Sequence, residues 1–168
     1  RIFNAVAQSG HSPAELAADA HSVTFCLSKA LSAPIGSVLL GTHEFIRQAR
    51  RVRKVLGGGM RQAGILAAAG LYALDQHVDR LAEDHDRARL LAAAVNEMDG
   101  YAVDMDSVQT NMVYISTANG EAQKVVDQLA EHGVDTLTID DSTVRAVIHL
   151  HITDEDIERT IAAFATTQ

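Results

Sequence analysis

The stretch Ser22–Leu40 reads SVTFCLSKALSAPIGSVLL, and its apolar pattern decides the fold. Its first part alternates apolar residues with small or polar ones, which is typical of a half-buried strand. Its last part, Ile35–Leu40, is nearly continuously apolar and predicts a second, buried strand. Because only a short loop joins the two, we expect antiparallel neighbours at one edge of a largely parallel sheet.

A single lysine, Lys29, stands between these two apolar runs. Most lysines are solvated, and composition alone predicts that this one reaches water at the end of its strand. Its small neighbours Ser28, Ala30, Ser32 and Ala33 nevertheless leave space around the amine. A lysine held partly away from water can act as a neutral nucleophile and form a Schiff base with a carbonyl compound. The stretch therefore supports both interpretations.

The composition excludes several classes of function. The chain has 168 residues and a formal net charge of -8, which argues against a general binder of nucleic acid or anionic membranes. Its one cysteine, Cys26, excludes a disulfide framework and a CxxC metal pair, and favours a cytoplasmic location. No apolar run approaches the ~20 residues that cross a bilayer. The opening RIFNAVAQ has no methionine and reads as a chain entered in mid-protein.

The rest of the pattern predicts helices followed by a smaller mixed unit. Helices are expected at 13–20, 42–56, most of 61–98, 121–131 and from Thr153 onward. Strands are expected at 112–115, 137–139 and 144–150. We therefore expect a first domain over residues 1–98 and a small C-terminal α+β domain over residues 99–168.

Helical spacing also predicts which faces are buried. In the helix over 42–56 the apolar stripe contains Phe45, Ile46, Ala49, Val52 and Leu56. In the last helix Ile157, Ile161, Phe164 and Ala165 are expected to face inward. Ser12 and Thr153 are expected to cap the helices that follow them, with Asp156 completing a capping box.

Two further blocks, KVLGGGMRQAG at Lys54–Gly64 and VRAVIHLHITDEDI at Val144–Ile157, accompany the lysine stretch. Together they resemble the pyridoxal-phosphate (PLP) threonine aldolases of low substrate specificity. The lysine stretch is similar to their S-x-x-x-C-x-S-K-G-L-x-A-P-x-G-S motif, and the glycine block to R-R-x-R-K-x-L-G-G-G-M-R-Q-A-G. The opening RIFNA resembles the tail of a D-G-A-R-x-x-N-A motif. The resemblance runs nearly from end to end.

This resemblance implies an α/β fold of PLP fold type I, which is aspartate aminotransferase-like. Residues 1–98 would be the C-terminal part of the large PLP-binding domain with its connecting helices. Residues 99–168 would form the small C-terminal domain. The chain would then be the C-terminal half of such an enzyme.

The resemblance also implies roles for five residues. Lys29 would form the Schiff base with PLP, and Arg1 would contact the 3-hydroxyl oxygen of the cofactor ring. Arg61 would lie near the cofactor phosphate, and Lys54 would be a second basic residue close to the site. Arg145 would bind the substrate carboxylate, as arginine does well through paired hydrogen bonds. By spacing alone, Arg145 reads as a surface ion pair and Arg61 as a solvated residue opening a helix.

The implied reaction is the reversible cleavage of L-threonine or L-allo-threonine to glycine and acetaldehyde through the lysine Schiff base. The PLP ring would serve as the electron sink. The catalytic base, the phosphate-binding loop and the groups that hold the ring are expected before Arg1. The resemblance also implies a homotetramer, a dimer of dimers, that takes a small amino acid and neither nucleic acid nor membrane.

Two alternatives remain open. The chain could belong to another fold-type-I PLP lyase, acting on β-hydroxy or β-substituted amino acids. It could also be an inactive fragment that lacks the first half of the cofactor site. The sequence departs from the family pattern at Ala30 and Ser32, where glycine is usual or frequent, and at His151 in the HLH triplet.

The histidines also suggest a metal site. His77 with His85, or His149 with His151, could be read as ligand pairs. No carboxylate or cysteine set completes a zinc site, so we expect no metal. His149 is expected to be a buried structural hydrogen-bonding residue instead.

Overall fold

In a computed structural model, which describes residues 1–167, the lysine stretch forms two antiparallel strands. Strand β1 spans Ser22–Cys26 and strand β2 spans Ser37–Gly41. Ser22 lies opposite Gly41, and Cys26 lies opposite Ser37, so the predicted antiparallel pairing is confirmed. Strand β2 begins later than predicted because Gly36 has a φ of 116°, which an extended strand residue does not adopt. No parallel strand pair occurs within the described residues.

The two strands are less buried than their composition predicts. Val23 and Phe25 in β1 are half-buried, whereas Leu39 and Leu40 in β2 are 43% and 49% exposed. The prediction of two buried strands is therefore wrong for the described residues. The apolar side chains of Leu39 and Leu40 instead form an exposed surface of the described unit.

Two compact units make up the described chain, and the first runs from Arg1 to Leu81. Besides β1 and β2, this unit contains four helices: α1 at Ile2–Ser9, α2 at Pro13–Leu16, α3 at His43–Val55 and α4 at Gly64–Gln76. Its buried cluster consists of Leu31, Ala33, Ala73 and Leu81, with Phe3, Phe25, Leu27, Ala30, Leu74 and Val78 partly buried around it.

Helices α2 and α3 depart from expectation in opposite ways. Helix α2 is shorter than the predicted 13–20, although Ser12 and Glu15 form the capping box that begins it. Helix α3 has nearly the predicted length and is capped by Thr42, yet none of its residues is buried. Val52 is 54% exposed and Leu56 is 80% exposed, whereas Ile46 and Ala49 are half-buried, so the later part of the predicted apolar stripe faces outward.

The second unit begins at Ala82, not at residue 99 as expected from the sequence. Helix α5, Leu81–Asn96, accounts for the difference, because its Leu91, Ala92 and Val95 are buried in the core of the second unit. A turn at residues 77–80 separates α5 from α4, so the region predicted as mostly helical contains two helices.

The second unit is an antiparallel sheet packed with helices. Its strands are β3 at Tyr101–Ala102, β4 at Met112–Thr117, β5 at Leu137–Asp140 and β6 at Thr143–Val147. Their order is β3-β4-β6-β5, and every pair is antiparallel. Helix α6 spans Ala122–Glu131, helix α7 spans Asp154–Thr166, and short 3-10 turns lie at Met105–Ser107 and Ala118–Gly120.

One core joins the sheet to all three helices of this unit. The buried members include Val113 and Ile115 of β4, Val144 and Ala146 of β6, Leu129 of α6, and Ile157 and Phe164 of α7. Ala163 is buried in α7, and Ala165, predicted to face inward, is exposed. Thr153 and Asp156 form the predicted capping box of α7. The unit thus has the α+β organisation that the pattern indicated.

Two titratable residues of α5, Arg87 and His85, have shifted pKa values in the second unit. The Nε of Arg87 donates to Asp154 at 2.6 Å, which ties α5 to the start of α7 and raises the pKa of Arg87. His85 is buried, and this burial lowers its pKa below the usual value. Within residues 1–167, no helix has the length and apolar character needed to cross a membrane.

Candidate active site

Lys29 lies in a turn directly after β1, where the backbone reverses toward β2. The N–H of Ser32 donates to the carbonyl of Lys29 at 2.7 Å and closes the turn. The side chain of Lys29 is exposed in the described unit. The expected partial burial of the amine is therefore not provided by these residues, and the amine is open to a ligand.

The backbone on both sides of Lys29 is hydrogen-bonded. The N–H of Ala33 donates to the carbonyl of Leu27 at 3.0 Å, and the N–H of Leu27 donates to Gly36 at 2.9 Å. Leu31 and Ala33 are 3% and 6% exposed, so the chain after Lys29 returns immediately to the core. Lys29 is thus an exposed residue on a hydrogen-bonded backbone.

The two departures from the family motif have different structural consequences. Ser32 has a φ of 55°, in the left-handed region that favours glycine, so serine is strained there. Ala30 does not have a positive φ, and it packs partly buried beside the Leu31 cluster. Only the change at Ser32 therefore strains the backbone of the turn.

Helix α4 lies directly behind the Lys29 turn. Nδ1 of His77, just past the end of α4, donates to the carbonyl of Leu31 at 2.6 Å. A Cβ placed on Gly70 would lie 3.0 Å from Cδ1 of Leu27, so the helix approaches the turn closely at that point. These contacts lie on either side of Lys29 in the sequence.

Arg1 is exposed and lies at the N-cap of α1. The carbonyl of Arg1 accepts from Ala5 at 3.1 Å, which fixes the residue at the start of α1. Its predicted role toward the cofactor ring stays a prediction.

Lys54 folds back over the triple-glycine turn. The N–H of Gly58 donates to Arg53 at 2.8 Å and that of Gly57 donates to Lys54 at 3.2 Å, the pattern of a Schellman motif. A Cβ on Gly59 would lie 2.6 Å from Cδ and 3.2 Å from Nζ of Lys54. Glycine at position 59 therefore makes room for the lysine amine against the backbone.

Arg61 does not open a helix as predicted. It lies exposed in a bend, and α4 begins only at Gly64. Gln62, next to it, has a φ of 53°, which prevents the helix from starting there. The expected anion site made from a helix start and this guanidinium is thus corrected to an exposed arginine in a bend.

Arg145 belongs to the second unit, on strand β6. It lies opposite Tyr114 of β4 and Leu137 of β5, whose side chains share its face of the sheet and are exposed. Its Nε is buried and has no hydrogen-bond partner among the described residues. An arginine donor with no protein partner suits a bound carboxylate better than the surface ion pair that spacing alone suggested.

The histidine pairs do not form a metal centre in the described residues. The rings of His149 and His151 meet edge to face at 5.7 Å, and the N–H of His151 donates to Nδ1 of His149 at 3.3 Å. Strand β6 ends at Val147, so these histidines lie beyond the strand that was predicted to place them on one face. Within residues 1–167, no group of three or more His, Cys, Asp or Glu side chains could hold a metal ion.

His77 is the residue of this region that the sequence did not reveal. Its contact with Leu31 joins positions 46 residues apart, and no local spacing predicts such a pair. The one signal is its place directly after a helix of small residues, which indicates a helix end and not a partner.

Comparison with known proteins places this geometry in a family. The family model for beta-eliminating lyases matches residues 1–118. Low-specificity L-threonine aldolase 1 of Arabidopsis thaliana is 42% identical over 98% of this chain and 47% of that protein. The low specificity L-threonine aldolase of Escherichia coli K12 is 40% identical over 96% of this chain and 47% of its own. The chain spans about half the length of the curated relatives it matches.

Solved structures show the same fold. A protein from Exiguobacterium sp. 255-15, assigned as an aromatic amino acid beta-eliminating lyase/threonine aldolase, matches all of this chain and 51% of its own, with a TM-score of 0.80 at 19% identity. The serine palmitoyltransferase of Sphingomonas wittichii matches 92% of this chain and 41% of its own, with a TM-score of 0.72 at 17% identity. These matches confirm the α/β, PLP fold type I class expected from the sequence.

Proposed function

The chain belongs to the beta-eliminating lyase family, and from this premise we propose that its protein cleaves L-threonine or L-allo-threonine to glycine and acetaldehyde with PLP. The observation that carries the proposal is the Lys29 turn, in which an exposed amine stands on a hydrogen-bonded backbone. The names of the two relatives support this choice of reaction within the family.

The residues of the first unit fit the cofactor in chemistry and charge. Lys29 offers an open amine for covalent attachment, and we assign Arg1, exposed at the start of α1, to the 3-hydroxyl oxygen of the ring. Lys54 and Arg61 supply positive charge beside the triple-glycine turn, where a phosphate group would be held. When bound, the cofactor supplies an electron sink for the carbanion that bond cleavage produces.

Arg145 supplies the proposed grip on the substrate. Its unpartnered Nε, together with the terminal nitrogens, forms the planar donor set that binds a carboxylate through two parallel hydrogen bonds. Fixing the carboxylate limits rotation of the amino acid and so favours one orientation of its Cα–Cβ bond. The proposed roles of Lys29 and Arg145 are thus attachment and orientation, respectively.

The test uses protein expressed from its full coding sequence. After incubation with PLP and reduction with borohydride, we expect peptide mass mapping to find the cofactor on the peptide that contains Lys29. Lys29→Ala should lose this label and reduce acetaldehyde release from L-threonine to background, because the attachment point is gone. Lys124→Ala is the control, since this exposed lysine belongs to the second unit and is paired there with Glu121. Full turnover by Lys29→Ala would refute the assignment.

A second candidate function follows from the family description itself. A beta-eliminating lyase would release ammonia and an oxo acid from serine or β-substituted amino acids, whereas an aldolase releases glycine and an aldehyde. A substrate panel scored for both product pairs separates the two reactions. If neither pair forms, comparison of the intact mass with the coding sequence tests whether the protein is an inactive fragment.

Assembly and location are further parts of the proposal. The exposed apolar residues of α3 and α4, such as Val55 and Ile65, support association into a homo-oligomer, for which we propose a dimer of dimers. The single cysteine is compatible with the reducing cytoplasm. Light scattering of the purified protein measures the oligomeric state directly.

A further inference from the structure

We propose that His77 is a positioning residue that fixes the backbone turn carrying Lys29. Its proposed effect on turnover rests on the function proposed above, whereas its effect on the turn itself does not. His77 hydrogen-bonds to the carbonyl of Leu31, so it would act on Lys29 through the peptide backbone between Lys29 and Ser32.

A hydrogen bond joins the imidazole of His77 to the backbone of the turn. The carbonyl of Leu31 can only accept, so Nδ1 of His77, 2.6 Å away, must carry the proton. Leu31 is 3% exposed, and within residues 1–167 no backbone N–H donates to this carbonyl. Removing the imidazole donor would leave a buried carbonyl unsatisfied, which a turn avoids by opening toward water.

The imidazole of His77 is held in place by two further contacts. The backbone N–H of His77 donates to Ala73 at 3.0 Å, which fixes the residue at the end of α4. The ring of Tyr72 meets the imidazole edge to face at 5.5 Å. A donor held at both its backbone and its ring can define the position of its acceptor.

The backbone of the turn is strained at Ser32. Ser32 adopts a φ of 55°, which is unfavourable for serine and persists only where the surroundings impose it. The contacts of α4 on both sides of Lys29, from Gly70 to Leu27 and from His77 to Leu31, can impose it. Without the second contact, the turn is free to relax and to change the direction in which the lysine amine points.

The test compares two substitutions at His77. His77→Phe keeps an aromatic ring against Tyr72 but has no donor, whereas His77→Asn keeps an N–H near the position of Nδ1. We expect hydrogen exchange over residues 28–36, measured before PLP is added, to rise about tenfold in His77→Phe and to stay near wild type in His77→Asn. His11→Ala, at an exposed histidine, is the control and should leave this exchange unchanged.

The same variants are then assayed for turnover. We expect kcat in His77→Phe to fall about tenfold to a hundredfold with little change in KM, because the amine is misplaced while Arg145 still binds the substrate. His77→Asn should recover most of the loss. Unchanged exchange across residues 28–36 in His77→Phe, or exchange raised equally in His77→Asn, would overturn the proposal. If the protein proves not to be an aldolase, the exchange measurement still decides the role of His77.

Discussion

The two units of the chain differ in how completely they bury their apolar residues. In the second unit, the sheet and three helices share one core that includes fully buried Phe164, Leu129 and Ile115. In the first unit, the buried cluster contains only Leu31, Ala33, Ala73 and Leu81 among the described residues. The second unit therefore has the interior of a self-sufficient domain, and the first does not.

The first unit leaves more apolar surface open than the second. A cavity of about 550 Å³ is lined by apolar residues such as Phe3, Phe25 and Leu74. Val55, Leu56 and Ile65 are 77%, 80% and 85% exposed. Patches of this kind mark surfaces that bind other chain segments or subunits.

Backbone strain is also confined to the first unit. Among the described residues, the non-glycine positions with positive φ are Ser32 and Gln62, and each lies beside a residue predicted for the cofactor site, near Lys29 or next to Arg61. Strained backbone tends to cluster at functional sites, where the surrounding structure maintains it. The second unit thus contains the larger closed core, and the first carries the lysine proposed for covalent attachment.

The largest predicted effect is on folding of the separated units. A fragment of residues 82–168 should unfold in one cooperative urea transition, because its core is closed. A fragment of residues 1–81 should show no cooperative transition and should bind a hydrophobic dye, because its apolar surface is open. Circular dichroism and dye fluorescence measure both. Cooperative unfolding of the first fragment would show that the first unit also has a closed core.

A smaller effect is expected from side chains chosen by the same contrast. Phe164→Ala should lower the free energy of unfolding by about 3–5 kcal/mol, because it leaves a cavity in a fully buried site against Tyr101. Leu90→Ala, at a 54% exposed position of α5 in the same unit, should change it by less than about 0.5 kcal/mol. Urea unfolding of both variants gives the values. A large cost at Leu90 would show that another surface covers this face of α5.

Local rules predicted the elements more reliably than their burial. The β1–β2 pairing followed from alternation, and the cap at Ser12 and the capping box at Thr153 followed from residues three apart. Burial depends on what packs from elsewhere. The exposure of Val52 and Leu56, and the burial of Ala163 in place of Ala165, were therefore not visible in the sequence. Helix α5 was expected in the first domain but packs in the second unit. Its apolar pattern predicts a buried face and does not identify the sheet against which that face packs.

The candidate site divides in the same way. Spacing marked Lys29 as unusual, but its predicted role came from the resemblance, as did those of Arg1 and Arg145. The bend at Arg61 depends on the φ of Gln62, which no residue pattern indicated. The bond from His77 to Leu31 spans 46 positions, beyond the reach of any local rule.

The smallest predicted effect concerns the strain at Ser32. Ser32→Gly should raise the free energy of unfolding of the first unit by about 0.5–1 kcal/mol. Relief of the left-handed φ, about 1–2 kcal/mol, outweighs the added entropy of unfolded glycine, about 0.5–1 kcal/mol. Ser28→Gly, in the same turn at an exposed position without positive φ, should have the opposite sign because only the entropy cost applies. Hydrogen exchange over residues 22–41 measures both changes. Two destabilising results would mean that α4 does not hold Ser32 in its strained conformation, and the contrast in strain between the units would then fail.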